Sequence, residues 1–155
     1  MNNTGNKYKS SDNVTELVGT RDFNGLRLKT DVCPGFGILK IYAPWCPHCT
    51  NIVDDMKFLG NELKKHNIYV CALNSNNPSN RNIVNELKVS GIPSFWFIKQ
   101  DGELENINEL LNREVLVKSM LDIICDKTTK YTKYKKDAKC CKTKNVNNKR
   151  VINCD

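Results

Sequence analysis

The apolar run over residues 37–43 (GILKIYA) meets Pro44 and leads through Trp45 into Cys46-Pro47-His48-Cys49. Seven mostly apolar residues bounded by a proline read as a strand buried on both faces, as at the centre of a covered sheet. Beyond Cys46 the pattern changes period. Ile52, Val53, Met56, Leu59 and Leu63 fall on one face and Asp54, Asp55, Lys57, Glu62 and Lys64 on the other, which predicts a helix over residues 46–65. A buried strand that hands over directly to an amphipathic helix limits the chain to folds in which helices cover a sheet. It also leaves three readings of Cys46 and Cys49: a redox pair, half of a metal site, or two buried thiols.

The remaining pattern extends the same architecture. Residues 14–18 alternate like a short strand, 20–25 read as a turn or a helical turn, and 68–73 form a second inner strand. A helix is predicted over 80–89, with Ile83, Val84 and Leu87 inward. Residues 94–99 (SFWFIK) make a third strand, turned by Gln100-Asp101-Gly102 into a fourth over 103–107. A last amphipathic helix is predicted over 112–125. Strands joined through helices require right-handed crossovers and a sheet with helices against it.

With 155 residues the chain is long enough for one domain with its own core. Its net charge of +7 sits entirely in the last thirty residues, where ten Lys/Arg face three Asp/Glu; residues 1–125 hold fourteen of each. The expected organisation is a disordered polar segment over 1–13, a neutral domain over 14–125, and a basic, cysteine-containing tail over 126–155. Lys133-Tyr134-Lys135-Lys136, with Tyr131, has the make-up of a nucleic-acid contact; the plainer reading is a solvated basic tail. No run approaches the roughly 18 apolar residues of a membrane helix, so no membrane partner is expected. The opening MNNTGNKYKSSDNV lacks the apolar core of a secretory leader, which points to the cytoplasm. Eight cysteines are unusual there, and a virion or another oxidised compartment would reconcile the two.

No second C-x-x-C or H-x-x-H stands at finger spacing from Cys46 and Cys49, so neither a metal nor a cofactor is expected. Cys71, in an inner strand, reads as an inert buried thiol, and Cys33 lies in a loop. Cys125, Cys140, Cys141 and Cys154 cluster at or beyond the last helix. They read as structural disulfides, as a shuttle to the active pair, or as a poorly spaced zinc site.

Trp45-Cys46-Pro47-His48-Cys49 at a strand-to-helix junction, Gly91-Ile92-Pro93 before a strand, and the order of elements together resemble the thioredoxin superfamily over residues 14–125. Tyr42-Ala43-Pro44-Trp45 is closest to the protein disulfide isomerase branch, and Pro47-His48 is the dipeptide of bacterial periplasmic disulfide oxidases. The resemblance implies an α/β thioredoxin fold, a central mixed β-sheet of four to five strands flanked by helices on both faces. It implies a thiol–disulfide oxidoreductase leaning towards oxidation and isomerisation. Cys46 exchanges with a client thiol through a mixed disulfide and Cys49 resolves it. Protein thiols and disulfides are the implied substrates, and a sulfhydryl oxidase or a reductase the recycling partner. Pro93 is implied to be cis and to face the pair, Ile92 to offer backbone groups to an extended substrate, and Trp45 to shape the docking surface.

Physical chemistry supports those roles. A cysteine at the first turn of a helix meets unpaired N–H groups that favour negative charge on its sulfur, which singles out Cys46; Cys49, one turn further on, lies behind it. His48 can donate a hydrogen bond or partial charge to that sulfur, while Pro47 removes a donor and stiffens the turn. A stabilised thiolate stabilises the reduced pair and makes the disulfide the better oxidant, within a family spread of roughly 150 mV, about 7 kcal/mol.

Three positions depart from the family pattern. Lys40 stands six residues before Cys46, where the family keeps a buried carboxylate. Its amine either snorkels to solvent or points inward, where it takes the Cys49 proton as a neutral amine or favours the Cys49 thiolate as a cation. Asp54 replaces a helix proline, so the helix is expected to run straight. The glycine that opens the substrate groove is missing at Asn108-Glu109, so the substrate surface is not the standard one. The alternative function is a non-catalytic thioredoxin-fold module whose basic tail binds nucleic acid or a protein.

Overall fold

The computed structural model describes residues 5–50 and 52–154, which fall into two compact units, 1–108 and 109–155. In the first, β1 (Thr15–Glu16), α1 (Gly19–Asp22) and the short hairpin β2 (Phe23–Asn24) and β3 (Arg27–Leu28) precede β4 (Gly37–Tyr42). Then follow α2 (Pro47–Thr50), α3 (Val53–Leu63), β5 (Tyr69–Asn74), α4 (Arg81–Glu86), β6 (Ser94–Ile98) and β7 (Leu104–Asn106). The main sheet has the order β1-β5-β4-β6-β7, with β1 and β4 parallel to β5, β6 antiparallel to β4, and β7 antiparallel to β6.

β4 occupies the centre for a plain reason: all six of its residues are buried. Its alternation divides the core in two. Leu39 and Ile41 point to one face, among Leu17, Cys71, Leu73, Trp96 and Ile98, and Ile83 of α4 closes over them. Ile38, Lys40 and Tyr42 point to the other face. There α3 packs along β5 with Met56, Leu59, Gly60 and Leu63 buried, a one-sided stripe at helical spacing. The only charged residue in β4 is therefore wholly inside, since Lys40 has no exposed surface.

Several expected boundaries move. The helix expected over 46–65 is not continuous: Ile52 takes φ −112° and ψ 10° and caps α3, its carbonyl accepting the Met56 N–H at 3.1 Å. The β-branched pair Ile52-Val53 is a weak helix former, so the interruption needs no proline. Glu62, expected on the outer face, is buried and pairs with Lys65 at 2.7 Å. The helix expected over 80–89 stops at Glu86, because Lys88 takes a left-handed φ of 56°.

The N-terminal segment also differs. Of the residues expected to be disordered, 1–4 lie outside the described ones. From Lys7 onward the segment is held by the domain: the Lys7 N–H donates to the Tyr42 hydroxyl at 2.9 Å, and Tyr8 is buried. Asn13 bonds Asn61 at 2.7 Å and receives Lys64 Nζ at 3.0 Å. One buried tyrosine, packed edge-on against Tyr42 at 5.6 Å, outweighs the polar composition around it.

In the second unit, α5 (Leu116–Tyr131) runs six residues past its expected end, so the boundary expected at residue 125 falls inside a helix. The stretch read as a tail folds back as the antiparallel hairpin β8 (Cys141–Val146) and β9 (Lys149–Cys154). Asn147 and Asn148, at φ 52° and 62°, form its two-residue turn, a conformation asparagine tolerates. Disulfides join Cys125 to Cys140 and Cys141 to Cys154, the structural arrangement among the three readings of that cluster. Among the described residues no helix is long and apolar enough to cross a membrane, and no cluster of three His, Cys, Asp or Glu residues could hold a metal.

Gly60 tests how the N-terminal segment is held. A Cβ there would lie 2.7 Å from the Asn13 carbonyl oxygen and 2.9 Å from that of Asp12. Glycine to alanine in an open helix stabilises by roughly 0.5–1 kcal/mol. Here Gly60→Ala is expected to destabilise by about 1–3 kcal/mol in urea unfolding, the usual range for overpacking.

Candidate active site

β4 delivers the site. Past Tyr42 the chain turns through Ala43 and Pro44, and the Cys46 N–H donates back to the Ala43 carbonyl at 3.1 Å. α2 then brings the Cys49 N–H round to the Cys46 sulfur, 3.2 Å away. Across from this turn the Cys46 thiol donates to the Ile92 carbonyl oxygen at 3.9 Å, and the Ile92–Pro93 bond is cis. Both cysteines are free thiols; Cys46 keeps 4% of its surface and Cys49 1%. The fold thus gathers Cys46, Cys49, Ile92 and Pro93. Trp45, 61% exposed, stands beside them, and Pro47 and His48 are exposed on α2.

The loop that presents Ile92 is tied down where the missing glycine was noted. Asn108 accepts the Phe95 N–H at 2.7 Å and donates its amide to the Ser94 hydroxyl at 3.2 Å. An asparagine at that position anchors the first residues of β6 instead of leaving a gap.

Beneath Cys49 lies a buried amine, that of Lys40. Lys40 Nζ donates to the Cys49 carbonyl oxygen at 2.8 Å and to the Tyr8 hydroxyl at 2.5 Å. It stands 5.1 Å and 5.4 Å from the ring centres of Tyr8 and Tyr42, within cation–π range. The snorkelling alternative is therefore set aside: β4 is paired on both sides, and its pleat aims the side chain into the core. Tyr42 in turn donates to Glu16 Oε2, which also receives the Tyr8 N–H at 3.3 Å. The second oxygen, Glu16 Oε1, is buried and unpartnered among the described residues.

These contacts set the proton affinities. Burial pushes the Cys49 thiol up to about 12, reinforced by its hydrogen bond with Cys46 and opposed by the Lys40 charge. Burial brings Lys40 down to about 8, against the pull of Cys49, Cys46 and Glu16. Glu16 is raised, chiefly by burial and despite the hydrogen bonds it accepts. Tyr8 and Tyr42 are held well above the usual phenol range by burial and the Glu16 carboxylate. The pair is thus unequal. One sulfur keeps a little surface and faces a backbone carbonyl; the other is a shielded thiol beside a buried amine that titrates near neutrality.

Tyr8 and Glu16, the partners that complete the surroundings of Lys40, carry no motif in the sequence. The one signal that could have found them is Lys40 itself: a lysine inside an otherwise apolar strand, if it points inward, needs buried hydrogen-bonding partners.

A mixed sheet carrying a C-x-x-C turn opposite a cis-proline loop defines a thioredoxin-fold domain. The family model described as Thioredoxin matches residues 32–122, and the chain belongs to the thioredoxin family. It is similar to protein disulfide-isomerase 1 of Dictyostelium discoideum, 33% identical over 70 residues, which cover 43% of this chain and 19% of that protein. It is also similar to the protein disulfide-isomerase of Medicago sativa, 27% identical over 106 residues, covering 65% of this chain and 20% of the relative. The chain therefore spans about a fifth of the length of these curated relatives. Among solved structures, the Trx4 domain of ERdj5 superposes with a TM-score of 0.55 at 18% identity, covering 74% of this chain and 94% of that one.

The Lys40 burial predicts a pH dependence of stability. Its value is about 8 in the fold against 10.5 in the unfolded chain, so between those limits the unfolded state holds the extra proton. Stability measured by urea unfolding should then rise with pH from 8 to 10.5 relative to Lys40→Met, by up to roughly 3 kcal/mol, and the gain is lost as pH falls through 8. A difference between the two proteins that stays flat over this window contradicts the assignment.

Proposed function

We propose that the protein is a thiol–disulfide oxidoreductase that exchanges a Cys46–Cys49 disulfide with protein thiols, leaning towards oxidation and isomerisation. The observation that carries this reading is the inequality of the pair: Cys46 keeps 4% of its surface and faces the Ile92 carbonyl, while Cys49 keeps 1% and its thiol is pushed up by burial. In the oxidising direction a client thiolate attacks the Cys46 sulfur, and the S–S bond breaks towards Cys49. A second client thiolate then attacks the client sulfur of the mixed disulfide and releases Cys46. The client leaves with a disulfide, and the protein keeps both electrons as a dithiol.

Cys49 must gain a proton when it departs, since burial makes its thiolate costly. Lys40, whose amine lies at the Cys49 backbone, holds a proton at neutral pH and releases it readily. It is a positioned donor on departure and an acceptor in the reverse step. As a cation it favours ionised sulfur, hence the reduced pair, which supports the oxidising lean together with Pro47 and His48. Trp45, Ile92 and Pro93 form the surface on which an extended client would lie, the Ile92 backbone offering it hydrogen bonds. A sulfhydryl oxidase would return the pair to the disulfide, or a reductase would run it the other way. The two disulfides of the second unit fit a workplace oxidising enough to keep them, a virion or another oxidised compartment.

The test is turnover on a reduced dithiol peptide with glutathione disulfide as terminal oxidant. Cys46→Ser is expected to fall to the rate of buffer alone, and Cys49→Ser to accumulate a mixed disulfide on Cys46. Equal turnover by Cys46→Ser and the wild type would rule the reading out.

A further inference from the structure

Two more free thiols lie in the apolar layer on the opposite side of the sheet. Cys33 and Cys71 are free, with 0% and 1% of their surface exposed, and belong to one apolar cluster with Leu39, Leu73 and Ile98. Cys71 sits in β5 opposite Leu39, on the face that Gly37 also presents. A Cβ on Gly37 would lie 3.3 Å from the Cys33 sulfur, so the bare glycine opens the slot that the sulfur fills. The two thiols lie close enough to act on each other's acidity, and the Cys33 thiol donates to the Gly35 carbonyl oxygen at 3.3 Å. The neighbouring Cys71 draws the Cys33 thiol below its usual value, while Cys71 itself is pushed well above by Cys33 and by burial. Two neighbouring free thiols of unequal acidity in one apolar cluster are a pair that oxidation can join.

Their anchoring is unequal too. Cys71 is fixed between β1 and β4 in the interior of the sheet. Cys33 lies outside any strand, at the end of a turn closed by its own N–H to the Lys29 carbonyl at 3.2 Å, and Pro34-Gly35 follow it. Local opening of that turn exposes Cys33 and leaves Cys71 in place.

We propose that Cys33 and Cys71 are a second dithiol, which glutathione disulfide oxidises to an internal disulfide closing the chain around the Cys46–Cys49 segment. The Cys33 thiolate attacks one sulfur of glutathione disulfide, forming a Cys33–glutathione mixed disulfide and releasing one glutathione thiolate. Cys71, deprotonated by solvent base as the turn recloses, attacks the Cys33 sulfur and releases the second glutathione. Two protein thiols and one glutathione disulfide become one protein disulfide and two glutathiones. The step needs local opening and is therefore slower than exchange at Cys46. It does not depend on the function proposed for Cys46 and Cys49.

The experiment uses the full chain carrying Cys46→Ser and Cys49→Ser, incubated with glutathione disulfide, then alkylated under denaturing conditions and mapped by mass spectrometry. The expected result is a cross-linked pair of peptides holding Cys33 and Cys71, short of two hydrogens, with a urea midpoint raised above that of the reduced protein. Adding Cys71→Ala is expected to leave glutathione on Cys33 instead; should that variant fail to fold, the map of the parent protein decides alone. Full alkylation of both cysteines after incubation overturns the proposal. So does a glutathione adduct that persists on Cys33 while Cys71 is intact.

Discussion

The hydrogen bond from the Cys49 amide to the Cys46 sulfur makes two chemically identical side chains different. It exists because β4 ends at a proline and the chain coils at once into α2, which turns that N–H towards the strand end. The same coil places the Cys49 side chain inward, where burial raises its proton affinity, and leaves Cys46 under the Ile92 carbonyl. The exchange we propose, with one attacked sulfur and one resolving sulfur behind it, rests on this single turn.

The centre of the sheet supports that turn with an unusual group. A lysine with no exposed surface is costly unless its donors are used, and Lys40 uses them on the Cys49 carbonyl and the Tyr8 hydroxyl. Tyr8 belongs to the N-terminal segment, which is fastened through the Tyr42 hydroxyl, Asn13 and the close approach to Gly60. The chain from Tyr8 through Tyr42 to Glu16 then joins β1 to the residue beneath the active pair. A stretch that looks peripheral in composition is thereby part of the electrostatics of the site.

Much of this was legible in the residues. The uninterrupted apolar run of β4, the switch to helical period after Cys46 and the distant Ile92-Pro93 lead to the fold and to the four residues that meet at the site. What was not legible has physical causes. Tyr8 lies in a segment whose composition signals disorder, and only its contacts with Lys40 and Tyr42 in the fold explain its burial. The orientation of Lys40 depends on pairing to both neighbouring strands, which local pattern does not encode. The hairpin at the C-terminus was hidden because Asn147-Asn148 reads as polar filler until both residues are seen to take positive φ. The partner of Cys33 depends on Gly37, a glycine whose missing side chain matters only in three dimensions.

The central claim is that the pair is unequal, with Cys46 the more accessible sulfur at 4% exposure and Cys49 the shielded one at 1%. Limiting iodoacetamide at pH 7 on the fully reduced, folded protein, followed by peptide mapping of residues 46–49 by mass spectrometry, measures that difference directly. The account predicts alkylation at Cys46 over Cys49 by about tenfold or more, since reactivity follows access and thiolate character. Equal labelling of the two, or a preference for Cys49, would contradict it.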